Sequence, residues 1–316
     1  MNYIAIINNL ERTDSLELLT DRFIASQDVG GSSKDTYRKT LRQFILWSKE
    51  CQIINPERED ILSYKEYLKE KDLSALTLSS YLVAVRKFFE WTEGIKLYPN
   101  IAKGIKGSKQ SRNFKKDPLT IEQVRELFSS VDRSDIKGLR DFAIINLLVR
   151  TGLRTIEVIR ADIEDIRQES GEAVLWVRGK GRDSKDEFVL LTESTLRPIK
   201  EYLNIRNTRG GKKPLFASLS DRNRGGRLTT RSISRTVKNS LLKIGLNDSR
   251  LTAHSLRHTA ITLALKGGAT IQEAQALGRH ANINTTLIYC HNINRVAQAP
   301  EKKIDLILNE VVEIER

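Results

Sequence analysis

Cysteine and histidine are scarce in this chain, and long apolar runs are missing. The 2 cysteines, Cys51 and Cys290, are too few and too far apart to frame a disulfide scaffold or a four-ligand zinc site. No apolar run approaches the roughly 18 residues that a membrane span requires. The opening MNYIAIINNLERTD has no basic stretch followed by a long apolar core, so the expectation is a cytoplasmic protein without a membrane partner. No nearby run of aspartates and glutamates supplies the carboxylates of a two-metal nuclease. The 4 histidines, His254, His258, His280 and His291, all fall in Leu251 to His291. His254 and His258 have the i, i+4 spacing of two zinc ligands on a helix, but Ser255 stands where a metalloprotease motif has its glutamate. The expectation is therefore a site that uses no metal and no cofactor.

What the chain has in excess is positive charge. Lys and Arg outnumber Asp and Glu by 53 to 40, giving a net charge of +13, a field suited to a polyanion such as nucleic acid. Its 316 residues suffice for two domains, each with its own core.

Hydrophobic periodicity predicts a small all-helical domain over residues 1–102. A capping box at Ser32 to Asp35 leads into a helix with Tyr37, Leu41, Phe44 and Ile45 on one face. Asn55 and Pro56 read as the N-cap and first turn of a second helix, with Ile61, Tyr64 and Leu68 inward. Leu78, Tyr81, Leu82, Val85, Phe88 and Phe89 mark a third. Arg38, Lys39, Arg42, Arg86 and Lys87 lie on these helices as candidate phosphate contacts, or as a plain solubilising surface. Residues 103–117 form a linker whose KGIKGSKQSRNFKK segment has no acid, and Lys106, Lys109 and Arg112 in it are candidates to lie along a DNA backbone.

A second domain is expected over 118–298. Thr120 to Gln123 caps a helix carrying Val124, Leu127, Phe128 and Val131, and a helical run from Arg140 to Val149 breaks at Gly152. Ala173 to Arg178 and Phe188 to Leu191 read as the two strands of a β-hairpin with lysines at its tip. Thr229 or Thr230 caps a helix with Ile233, Val237, Leu241 and Ile244 inward and Arg231, Arg235 and Lys238 on the other side, a basic ridge of the kind that lies against DNA. The remaining 299–316 read as a tail helix with Ile304, Leu306, Ile307, Val311, Val312 and Ile314, expected to dock on another protomer. The expected fold is mainly α with a small antiparallel β-hairpin or sheet.

Arg154, Lys180, His254, Arg257, His280 and Tyr289 bring together two arginines, a lysine, two histidines and a tyrosine. Those are the groups that phosphoryl transfer without metal needs: guanidinium clamps, a general acid, a general base and a nucleophile. Their motifs resemble those of the tyrosine recombinases, also called phage-type integrases. Thr151-Gly152-Leu153-Arg154 followed by Glu157 resembles the family's first arginine motif, and Gly179-Lys180-Gly181 its lysine motif. His254-Ser255-Leu256-Arg257 resembles HxxR, and His280 precedes Tyr289 by the family spacing, with Thr285-Thr286 between. In two places the chain departs from the pattern. Arg279 stands where the family has glycine before the histidine, and the lysine hairpin is longer, so that Lys185 competes with Lys180.

The resemblance implies a two-domain clamp, a helical core-binding domain opposite a catalytic domain, acting on double-stranded DNA. Tyr289 would attack the scissile phosphate to form a 3′-phosphotyrosyl link, with Arg154 and Arg257 on the non-bridging oxygens. Lys180 would protonate the leaving 5′-oxygen, His254 would assist proton transfer, and His280 would bind the phosphate or orient the nucleophile. It also implies a homo-tetramer on two DNA sites exchanging strands through a Holliday junction, in integration, excision or resolution, with room for accessory DNA-bending proteins. A separate arm-binding domain is not expected. The competing expectations are a type IB topoisomerase, which relaxes DNA as a monomer, and a non-catalytic DNA-binding protein that keeps only the clamp.

Overall fold

The computed structural model describes residues 16–71, 73–107, 117–179, 184–207, 213–289, 301, 304–305 and 307–308. The chain divides into two units, Met1–Ser111 and Arg112–Arg316.

Among the described residues the first unit holds helices α1 (Leu16–Ser26), α2 (Gly31–Glu50), α3 (Arg58–Glu70) and α4 (Ala75–Gly94). Their apolar stripes meet in one core: Leu41 and Phe44 from α2, Ile61 and Tyr64 from α3, Leu82, Val85 and Phe89 from α4. Phe44 sits at its centre, its ring 5.1 Å from Tyr64 and 6.1 Å from Phe89, edge-on to both. α1 is not among the elements expected from the sequence, yet it adds Leu19, Phe23 and Ile24 to this core. Two caps differ from expectation. α2 starts after Gly30 in extended conformation with no side-chain cap, so Ser32 and Asp35 lie inside the helix rather than forming a box. At the start of α3 the Asp60 carboxylate accepts from the backbone N–H of the N-cap residue Glu57 at 2.7 Å, and Asn55 is not the cap; Pro56 is held outside the helix, its carbonyl accepting from Tyr98 Oη at 2.7 Å.

The second unit is built around α6 (Ile136–Thr151), buried on nearly every side. Before it lies α5 (Ile121–Ser129), capped by the reciprocal Thr120–Gln123 pair; Val131 is buried too, but beyond the helix end. After it come α7 (Thr155–Arg160), strands β1 (Ile166–Glu169), β2 (Glu172–Val177) and β3 (Glu187–Leu190), and then α8 (Glu193–Arg206), α9 (Thr230–Lys243), α10 (Ala253–Lys266) and α11 (Ile271–Gly278). Residues 284–289 are helical as well. α6 packs against both α8 and α10. α9 is capped by Thr229.

The expected hairpin is a three-stranded antiparallel sheet in the order β1-β2-β3. Ser170 and Gly171, with φ of 51° and 84°, form the two-residue turn between β1 and β2, where positive φ at both positions matches the twist of the strands. The base of the β2–β3 connection is fixed by buried charge. Lys185 Nζ lies 2.6 Å from Asp165 and 3.1 Å from Asp162, and Arg227 caps the other face of Asp162 at 2.5 Å. Arg160 donates to the carbonyl of Gly179 at 3.2 Å.

No helix among the described residues is long and apolar enough to cross a membrane. In the tail, the described residues 301, 304–305 and 307–308 are helical, and Ile304, Ile307 and Leu308 are exposed at 55%, 63% and 58%. The rest of that segment lies outside the described residues.

Candidate active site

Three chain breaks meet in the second unit. α6 stops at Gly152, whose φ of 61° is the left-handed conformation that closes a helix. Two residues later Arg154 begins α7, and Glu157 returns to bond its backbone N–H at 2.7 Å and its Nη1 at 2.8 Å. Only the carboxylate half of a capping box is made here, because a guanidinium cannot accept; the Glu157 N–H instead donates to the carbonyl of Arg154 at 2.9 Å. The third break is the end of α11, where Arg279 also takes a left-handed conformation and turns the chain toward His280.

Arg257, one turn into α10, ties these ends together. It is 2% exposed, and its guanidinium donates to the carbonyl of Gly152 at 2.6 Å and to the carbonyl of Gly278. Arg154 Nη2 reaches the carbonyl of Arg279 at 3.1 Å, and the Arg279 side chain closes back on Glu157 at 2.9 Å. Burial and the neighbouring Arg154 and Arg279 pull Arg257 down to about 10 from its usual pKa. Burial would raise the Glu157 carboxyl, but Arg279 and the bonds from Arg154 outweigh it and hold the group below the usual carboxylate range. Two guanidiniums, Arg154 and Arg279, thus share the Glu157 carboxylate, with Arg257 held beside them on backbone carbonyls, and three cations around one carboxylate attract a further anion.

Beside this cluster His280 Nδ1 is 2.9 Å from Thr286 Oγ1. Its ring lies directly over Gly278: a Cβ there would come to 2.9 Å from His280 Cε1 and force the ring to shift. Tyr289, on the 284–289 helix, is 4% exposed, its ring 6.1 Å from His280 and 5.2 Å from His258. His254 is exposed and edge-on to His258 at 4.8 Å. Burial pushes the Tyr289 phenol up to about 12, against the pull of Arg257 and Arg154. Burial, joined by the arginines, lowers His280 to about 4; burial and His254 lower His258 to about 3. Both imidazoles are therefore neutral at physiological pH, and the burial that keeps them so also makes them weak bases.

That neutrality has a consequence for stability. In the unfolded chain both histidines protonate near 6.5, whereas in the fold they resist until about 4 and 3. Below pH ~6.5 the unfolded state binds more protons, so the histidine contribution is complete above that pH and is lost as pH falls toward the folded values. We expect a loss between pH 6.5 and 5 of at most about 1.5 kcal/mol for His258 and less for the half-buried His280, whose charge solvent screens, read as a falling urea midpoint, with a shallower fall in His258→Gln. A midpoint unchanged over that range in the unsubstituted protein would mean that the imidazoles are charged in the fold.

The phage integrase family model matches residues 118–295, and the model of its N-terminal SAM-like domain matches 23–94. The tyrosine recombinase XerC of Herpetosiphon aurantiacus is 32% identical over 288 residues, 88% of this chain and 90% of that protein. The chain belongs to the phage integrase family. XerC of Escherichia coli O157:H7 is 30% identical over 260 residues, covering 81% of this chain and 84% of its own. In fold, the chain is similar to the XerH recombinase in its post-cleavage complex with palindromic difH, with a TM-score of 0.71, 23% identity, and coverage of 94% and 88%. It is also similar to the Tn1549 transposon integrase with circular intermediate DNA, with a TM-score of 0.68, 19% identity, and coverage of 88% and 95%.

Of the residues that the tyrosine recombinase motifs single out, Arg154, His254, Arg257, His280 and Tyr289 converge here. Lys180 lies outside the described residues. Lys185 does not join them: burial works against its charge, but Asp165 and Asp162 hold its pKa above the usual lysine value, so its proton is committed to carboxylates. Among the expected DNA contacts, Arg42, Lys106, Arg231 and Arg235 are exposed and Arg86 is half-buried. Arg38 pairs with Asp35 at 3.1 Å and Lys87 with Glu90 at 2.7 Å, while Lys238 Nζ bonds the carbonyl of Asp248 at 2.9 Å. Lys109 and Arg112 lie outside the described residues. Sequence reasoning undervalued two members of the centre. His258 looked like half of a zinc pair but packs on the tyrosine, and Arg279 looked like a deviation in a loop but is built into the ion cluster. The tell-tale for Arg279 was an arginine beside a helix-ending glycine within an otherwise matching motif.

Proposed function

We propose that this tyrosine recombinase, which acts in site-specific DNA recombination, cuts duplex DNA by attack of Tyr289 on the scissile phosphate. The Tyr289 Oη–P bond forms as the P–O5′ bond breaks, leaving a 3′-phosphotyrosyl link and a 5′-hydroxyl. Arg154 and Arg257 bind the non-bridging oxygens as charge builds on them. His280, steadied by Thr286, binds the phosphate or orients the nucleophile; His254, at the exposed edge, assists removal of the phenol proton, and Lys180 delivers a proton to the departing 5′-oxygen. The ester energy is kept in the protein link, so rejoining needs no ATP. The observation that carries this reading is the convergence of the buried Tyr289 with His258, His280 and the guanidiniums of Arg154 and Arg257.

The wider reading is a clamp formed by residues 1–102 and 118–298 joined by the linker 103–117, with Arg38, Arg42, Arg86, Lys87, Lys106, Lys109, Arg112, Arg231, Arg235 and Lys238 along DNA phosphates. In it a cytoplasmic tetramer exchanges strands between two sites through a Holliday junction, each protomer lending its 299–316 tail to a neighbour. The exposed Ile304, Ile307 and Leu308 support that last step.

The test uses a duplex carrying the protein's own site with a nick just beyond the scissile phosphate, so that the freed strand diffuses away. A covalent protein–DNA adduct accumulating in the presence of a chelator is the expected result. Tight, site-specific binding with no adduct on any site would favour the DNA-binding protein without catalysis.

A further inference from the structure

Arg279 is where this chain departs from its family motif. Its backbone has φ 47° and ψ 51°, a conformation that glycine adopts freely and a side-chain-bearing residue adopts at a cost. Its side chain is 5% exposed, too deep to lie along DNA. Nη2 lies 2.9 Å from Glu157 Oε2 and 3.2 Å from the carbonyl of Gly152, and Nη1 lies 2.9 Å from the carbonyl of Leu277.

Two of these partners also serve the phosphate-clamping arginines. Glu157 is the carboxylate that aims Arg154, through bonds of 2.7 and 2.8 Å. The Gly152 carbonyl accepts from Arg257 at 2.6 Å. The carbonyl of Arg279 itself accepts from Arg154 Nη2 at 3.1 Å. Its planar fork engages acceptors on opposite sides at once, which a lysine ammonium on a flexible stem does not reproduce.

We infer that Arg279 is a positioning residue for cleavage: its buried guanidinium fixes the Glu157 carboxylate and the Gly152 carbonyl, and through them holds Arg154 and Arg257 in the geometry that clamps the scissile phosphate. The inference rests on the reading of those two arginines as the clamp.

Arg279→Gly isolates the side chain, because glycine keeps both the left-handed turn and the carbonyl that Arg154 uses. Its cleavage is compared on two nicked duplexes, one with the natural scissile phosphodiester and one with a methylphosphonate there. The methylphosphonate lacks one charged non-bridging oxygen, so a misaimed guanidinium matters less. On the diester, Arg279→Gly should cut about 10- to 100-fold more slowly than the unsubstituted protein under single-turnover conditions, the range for groups that orient a ligand rather than touch the substrate. On the methylphosphonate the gap should close, as it should for Arg154→Ala run alongside. An equal loss on both linkages, or no loss on the diester, overturns the inference. If Arg154→Ala is restored by the neutral linkage and Arg279→Gly is not, the inference falls alone; if Arg154→Ala is not restored, the clamp reading falls and takes the inference with it. Should Arg279→Gly fail to bind uncut DNA, Arg279→Lys carries the same comparison, since it keeps a positive charge beside Glu157 and loses the fork.

Discussion

Tyr289→Phe should bind DNA normally and form no covalent adduct. The substitution removes one atom, Oη, and leaves the ring that packs 5.2 Å from His258 and 6.1 Å from His280. Losing a buried hydroxyl changes stability by about 1 kcal/mol, too little to unfold the unit. Cleavage should instead fall by about 10⁵-fold or more, the scale on which removal of a nucleophile acts. Nearby hydroxyls offer poor substitutes. Thr286 is bound to His280 at 2.9 Å, Thr259 donates to the carbonyl of Ser255 within α10, and Ser255 donates to the carbonyl of Arg250 ahead of it. An adduct persisting in the phenylalanine variant would move the nucleophile elsewhere.

Arg257→Ala carries the second large effect, in two measurements at once. If its guanidinium stabilises the charge that grows on the phosphate, single-turnover cleavage should fall about 10²- to 10³-fold at saturating protein. The same change releases the carbonyls of Gly152 and Gly278, and leaving buried acceptors unpaired costs about 1–3 kcal/mol each. Arg279 still reaches Gly152 at 3.2 Å, so the greater loss falls on Gly278 and the placement of His280 that follows it. The urea midpoint should drop accordingly. Arg257→Lys keeps the charge without the fork, and cleavage by it at the unsubstituted rate would show that joining the two loop ends is not what the arginine contributes.

Much of the centre was legible because it is local. Arg154 and Glu157 sit one turn apart, as do His254 and Arg257, and His280 and Tyr289 lie within one short segment, so spacing alone displays them. The core of the first unit was legible for the same reason: Leu41, Phe44, Ile61, Tyr64, Leu82 and Phe89 repeat at helical intervals and are all buried. Elements whose determinants lie elsewhere in the chain were missed. α1 offers three inward residues, and only packing on α2 and α4 makes it a helix of this core. β1 has a half-buried first residue and three exposed ones, so it lacks the alternation that marks a strand and exists by pairing with β2. At the starts of α2 and α3 several capping residues stand in a row, and the winner is set by the extended chain before the helix. For α3 the Pro56 carbonyl is anchored by Tyr98, far along the sequence. Arg279 belongs with these: its partners are Gly152 and Glu157, more than a hundred positions upstream.

The cluster of Arg154, Arg257 and Arg279 around Glu157 can be regarded as a salt with its counterion withheld. Folding has brought mutually repelling cations together, Arg154 and Arg279 on one carboxylate and Arg257 on two carbonyls, and a scissile phosphate is the piece that would balance the charge. Docking of DNA and consolidation of this corner of the fold would then be coupled events, each favouring the other by the same free energy.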